Sequence, residues 1–142
     1  MTSLISRLHS TPDLCGIARA ADGRVAEFRR KGVVDLYTLV ASDPDFLRGG
    51  MLADRVIGRG AALLAVKGGV AEVFADTISQ HALDVLDAAA VRYSYGRLVP
   101  YIINWAGDGM CLVEALTLHV SDPDVAFPLI HDFLLERGMI TQ

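Results

Sequence analysis

The stretch from Leu52 to Val66 limits what this chain can fold into more than any other. Asp54, Arg55 and Arg59 are its only charged residues, and Gly68-Gly69 follows just beyond it. A segment apolar on nearly every side has no face to offer water, so it must sit at the centre of the fold. Its length and glycine stop predict a buried central helix. It is too short to span a bilayer, which needs roughly 20 apolar residues. The longest unbroken apolar run, Ala61 to Val66, is shorter still. The rest of the chain must therefore wrap around this segment.

The flanking residues supply strands and further helices. Residues 2–9 predict a short capped helix that stops before Pro12. Asp22-Gly23 lies between the strand-like runs Leu14–Ala20 and Val25–Arg30, which signals a hairpin whose tight turn needs positive φ. Residues 33–41 predict a short helix broken at Asp43-Pro44. Val70–Ala75 predicts a strand, Gln80–Ala90 a helix capped by Ser79, and Val91–Tyr95 another strand. Residues 96–109 read as irregular, and Cys111–Leu118 as a helical start with an extended end. Asp122-Pro123 opens a terminal helix to Arg137. Pro128 must lie in its first turn or bend it, because an interior proline costs about 3 kcal/mol. The alternation predicts an α/β fold with a mixed sheet and helices packed on it. No linker or repeat divides the chain, so one domain over residues 1–142 is expected.

Charge narrows the partners. Thirteen basic residues against 17 acidic ones give a net charge of −4, and Arg29-Arg30-Lys31 is the only basic cluster. A groove tracking a phosphate backbone needs more, so general nucleic-acid binding is not expected. Arg7 and His9 interrupt the only apolar patch near the start, which leaves no signal-peptide pattern, and Cys15 and Cys111 make no disulfide framework. A cytoplasmic protein with no membrane partner is expected. Hydrophobic residues at 52% and a mean hydropathy of +0.37 leave apolar surface for a pocket or a subunit interface. That predicts a homo-oligomer. His9, His81, His119 and His131 form no paired spacing of the kind metal sites use, so neither metal nor cofactor is expected.

Polar residues set in apolar segments mark a candidate site. Gly107-Asp108-Gly109-Met110-Cys111 combines glycines that allow close backbone approach with a thiol at a possible helix start. Cys111 then reads as a nucleophile and Glu114 as a general acid or base, with the Gly107–Gly109 backbone as an oxyanion or phosphate cradle. The structural alternative makes Cys111 a small buried hydrophobe and Glu114 a capping carboxylate. Asp54, read at a helix start, is either held there by the helix dipole or turned into a pocket with Arg55 or Arg59, which could grip an anion. Asn104, between Tyr101-Ile102-Ile103 and Trp105, needs partners from the backbone or from a ligand. Trp105 stacks on a planar ligand or seals the core. Gly58-Arg59-Gly60, read inside a helix, lacks the strand–turn–helix context of a dinucleotide-binding turn.

Several of these segments carry a family resemblance. Ala53 to Ala62, Gly69 to Ser79, Tyr95 to Asn104 and Gly107 through Cys111 to Glu114 resemble a prokaryotic family catalogued as domain of unknown function (DUF) 1893. The resemblance spans roughly residues 12–137 and implies a cytidine-deaminase-like, three-layer α/β/α sandwich around a mixed sheet. Zinc deaminases of that fold place a His or Cys two residues before Glu at one helix start and a Pro-Cys-x-x-Cys at another. The matching positions around Leu52-Ala53-Asp54 and Ile78–Ala82 hold neither, so a zinc-free domain is implied. Against the family pattern this chain has Leu112 for a proline, Trp105 for a basic residue, and arginine for lysine at 55 and 59.

Together these readings predict a zinc-free deaminase-fold domain binding a small nucleotide-like or anionic metabolite. Its site would comprise Asp54, Arg55, Arg59, Asn104, Gly107, Gly109, Cys111 and Glu114. The alternative is a non-catalytic scaffold, sensor or oligomeric subunit in which those residues only cap helices and settle loops.

Overall fold

The computed structural model describes residues 1–141 and contains one five-stranded sheet. The hairpin forms at the expected place: β1 (Gly16–Arg19) and β2 (Val25–Phe28) pair antiparallel, but Gly23 alone takes positive φ, at 96°, so the turn is not the type I′ that would need it at Asp22 as well. On its other side β1 pairs antiparallel with β3 (Met51–Ile57). Then β3, β4 (Glu72–Ser79) and β5 (Arg92–Val99) run parallel, so the order is β2-β1-β3-β4-β5. The sheet is mixed and open, with β2 and β5 at its edges.

The first correction concerns the segment from Leu52 to Val66. It is not one helix. Residues to Ile57 form the central strand β3, extended Gly58 breaks the element, and α3 (Arg59–Lys67) begins immediately after. A strand buried on both faces reads as a continuous apolar run, which periodicity cannot separate from a buried helix. Successive residues of β3 point to opposite faces of the sheet. Leu52 belongs to the larger core, whereas Ala53 packs with Leu4 and Leu8 of α1 (Thr2–Ser10) and with Leu14 and Ile17. Helices thus cover both faces.

The larger core gathers α2 (Val34–Ser42), α3, α4 (Gln80–Ala88) and α6 (Pro123–Glu136), with Leu63, Leu64, Leu86, Ile130 and Leu134 almost fully buried. Ser79 caps α4 as expected, accepting from the His81 backbone N–H at 3.0 Å. β5 continues to Val99, beyond the expected end at Tyr95, and α5 (Leu112–Thr117) is helical throughout. Pro128 lies past the first turn of α6, and the helix runs on to Glu136. No helix among the described residues is long and apolar enough to cross a membrane.

Candidate functional site

Moving Asp54 from a helix start to mid-strand changes its surroundings. In the antiparallel register of β1 and β3 it faces Gly16, and a Cβ at that glycine would stand 2.7 Å from Asp54 Oδ2. A side chain there would oblige the Asp54 carboxyl to shift from its present position. Asp54 Oδ1 accepts from the Val56 N–H at 3.2 Å, and Oδ2 has no hydrogen-bond partner among the described residues. Burial, only partly offset by the Val56 and Arg55 backbone N–H groups and the Arg55 charge, pushes the carboxyl up to about 7. The side chain borders a cavity of about 360 Å³ that also reaches Cys15, Cys111, Glu114 and Trp105. Burial first, and then the negative charge of Asp54, push the Cys15 thiol up as well.

Glu114 is buried, and its two oxygens are already engaged. Oε1 accepts from the Arg59 N–H at 2.8 Å and Oε2 from the Ile102 N–H at 2.6 Å. The carboxylate therefore caps α3 and ties the stretch after β5 to that helix, which places negative charge where the helix dipole favours it. This also corrects the reading of Gly58-Arg59-Gly60. The triplet does follow a strand and open a helix, but Leu63 stands where a third glycine would fall. Glu114 fills the position a phosphate would take at such a turn.

Both guanidiniums are engaged by the protein itself, and of the two arginines only Arg55 borders the cavity. Arg59 gives hydrogen bonds to the carbonyls of Thr117, Val120 and His81, to Asp84 Oδ1 and to Ser121 Oγ, all between 2.7 and 3.2 Å. Arg55 donates to the carbonyls of Leu14, Leu8 and Thr11, which fastens the end of α1 to the sheet.

The segment after β5 closes on itself as a small loop. Ile103 pairs with Met110, the Asn104 N–H donates to the Gly109 carbonyl at 2.8 Å, and Asn104 Nδ2 donates to Asp108 Oδ1 at 2.9 Å. Gly107 takes φ 77° at the exposed turn. Asn104 thus shapes the loop, and neither Gly107 nor Gly109 lines the cavity. Cys111 ends the loop as the residue preceding α5, its N–H donating to the Ile102 carbonyl at 2.7 Å, and is half-buried. Trp105 does not seal the core: it is 81% exposed at the rim.

A second cavity of about 340 Å³ adjoins the first and shares Lys31, Trp105, Cys111 and Val113 with it; Asn104 lines this one. A broader, more open hollow of about 550 Å³ lies beside Tyr37 and His131, whose side chains hydrogen-bond each other at 2.6 Å. Its most reactive groups are thereby occupied with each other. Among the described residues no three His, Cys, Asp or Glu side chains group closely enough to hold a metal ion.

Of the residues singled out from sequence, Asp54, Arg55, Cys111 and Glu114 meet at one cavity and Asn104 lies next door. Cys15 and Lys31 were missed. Only the strand register brings Cys15 beside Asp54, and no local pattern signals it.

A family model described as TM1506: Domain of unknown function (DUF1893) matches residues 5–134. The crystal structure of a DUF1893 family protein (TM1506) from Thermotoga maritima matches the fold with a TM-score of 0.81. It covers 94% of this chain and 91% of that one at 23% identity, which speaks for the fold alone. No curated protein matches the sequence.

Proposed function

The chain belongs to the DUF1893 family, and from that premise we propose that it binds a small nucleoside-like heterocycle in the cavity beside Asp54. The carboxyl of Asp54 carries the reading. It is a polar group on an otherwise mostly apolar wall, with one oxygen left without a protein partner. Small-molecule sites combine apolar walls with a few such groups, in cavities of about 300–1,000 Å³. A heterocycle edge would hydrogen-bond Asp54, its ring would meet the face of Trp105, and an anionic substituent would reach Lys31 at the rim. The framework is, in this reading, a zinc-free cytidine-deaminase-like domain in the cytoplasm. Cys111 is the nucleophile of any covalent step. Asp54, titrating near neutrality, carries its proton. Glu114, Arg55 and Arg59 hold the walls, and Asn104 with Gly107 and Gly109 shapes the loop that ends at Cys111.

Thermal unfolding of wild type, Asp54→Asn and Cys111→Ala in the presence of nucleobases, nucleosides and nucleotides tests this. A ligand at a hundred times its Kd adds about 2.7 kcal/mol, which in a domain of this size is a rise of several degrees. The rise should shrink in Asp54→Asn. Silence across the whole panel overturns the reading.

The non-catalytic oligomeric subunit has separate support. β5 is an unprotected edge strand of eight residues, with Tyr95 41% and Leu98 36% exposed. Such edges invite pairing with another chain. Sedimentation equilibrium that returns only monomer over a wide concentration range would remove that support.

A further inference from the structure

The second cavity has a chemistry of its own. Leu112, Val113, Phe133, Leu134 and Met139 give it apolar walls, and Lys31 and Arg137 supply its only cations. Those two cations stand out from the rest of the chain. Of its 13 Lys and Arg side chains, nine lie at ion-pair distance from a carboxylate, in a protein with net charge −4. Among the described residues Arg19, Lys31, Arg97 and Arg137 have no such partner, and two of these four converge on one cavity. Each instead rests on an aromatic ring: Lys31 Nζ is 6.0 Å from the centroid of Trp105, and Arg137 Cζ is 4.9 Å from that of Phe133. Stacking of this kind positions a cation while leaving its charge and N–H groups available.

We infer that this cavity is a binding site for an amphipathic monoanion, a carboxylate on an apolar body. Apolar walls select the body, and a cationic rim in a cavity lined by no acidic residue among those described selects the head. Octanoate is a suitable probe: an eight-carbon acid, at about 30 Å³ per heavy atom, fits a cavity of about 340 Å³, whose open side sets no upper limit on length. A sugar phosphate of similar bulk would give the apolar walls nothing to bury. The inference uses neither Asp54 nor Cys15. It shares Lys31 and Trp105 with the first cavity, and Arg137, Phe133, Leu134 and Met139 belong to the second cavity alone.

Trp105 is the only tryptophan and borders both cavities, so its fluorescence reports that a ligand is bound, and substitution of Arg137, which lines only the second cavity, reports where. Octanoate, octanamide and octylammonium are titrated into the wild type, which requires no variant to fold. Octanoate should give a saturable spectral change, octanamide one at least about tenfold weaker in affinity, and octylammonium none. Lys31→Gln/Arg137→Gln, both exposed positions, should weaken octanoate by about tenfold, with far-UV circular dichroism checking the fold. Asp54→Asn should bind octanoate as the wild type does. Equal affinity for octanoate and octanamide, no loss in the double variant, or loss in Asp54→Asn would each overturn the site. So would a fluorescence change that follows protein concentration in place of octanoate, because a second copy of the chain would then cover this face. A silent nucleoside panel beside a positive octanoate titration fails the first cavity alone.

Discussion

Replacing Asp54 by asparagine isolates the one carboxyl whose titration the fold has moved far from its ordinary range. Asparagine keeps the shape and the acceptor facing the Val56 N–H but removes the charge. The folded carboxyl titrates at about 7 against an ordinary value of 3.8. At about 1.36 kcal/mol per pH unit, ionising it in the folded protein costs at most about 4 kcal/mol. The side chain borders a cavity open to water, so about 2 kcal/mol is the magnitude to expect. Because the folded protein binds this proton more tightly than the unfolded chain, stability is highest with Asp54 protonated, below about pH 4. It declines as pH rises through about 4 to 7 and levels off above that window. Urea unfolding of both proteins at intervals from pH 4 to 8.5 measures this, and the difference between them cancels every other titrating group. The advantage of Asp54→Asn should grow by about 2 kcal/mol between pH 4 and 7.5 and then stay level. A difference that is flat over that window, or that falls with pH, refutes the placement of this carboxyl in a desolvating site.

Two further substitutions test the scaffold behind the cavity. Arg59→Met removes the donors that satisfy the carbonyls of His81, Thr117 and Val120, and should cost about 3–5 kcal/mol in urea unfolding; a loss below about 1 kcal/mol would refute the bracing role of the guanidinium. Glu114→Gln sets an amide N–H against either the Arg59 or the Ile102 N–H. It should cost about 1–3 kcal/mol and speed hydrogen exchange at one of those two amides, and unchanged exchange at both would refute the cap.

The arrangement around Glu114 has a wider consequence. A glycine-bordered turn from strand to helix is a ready anion site, because the first helical N–H groups have no partner within the helix. Here a carboxylate from α5 supplies that anion permanently. Among the described residues, the cations bordering the cavities without an ion-pair partner are the exposed Lys31, which both cavities share, and Arg137, which lines the second.

Local chemistry by itself determined much of the framework. The Asp22-Gly23 hairpin, the Ser79 cap, α1, α2, α4 and α6 were all legible, since turns, caps and amphipathic faces are set by neighbouring residues. The grouping of Asp54, Cys111 and Glu114 was legible too, from polar residues that an apolar segment does not tolerate without a reason. Tertiary structure alone decided the rest. Whether Leu52–Ile57 is helix or strand depends on burial from both faces, which only the neighbouring strands and α1 impose. That Glu114 caps a helix 55 residues earlier, and that Arg59 serves carbonyls on two other helices, follows from long-range packing. Cys15 joins Asp54 through strand register, and Lys31 joins Arg137 through the closure of a cavity. A sequence specifies such contacts only through the whole fold, because the residues that make them share no local pattern.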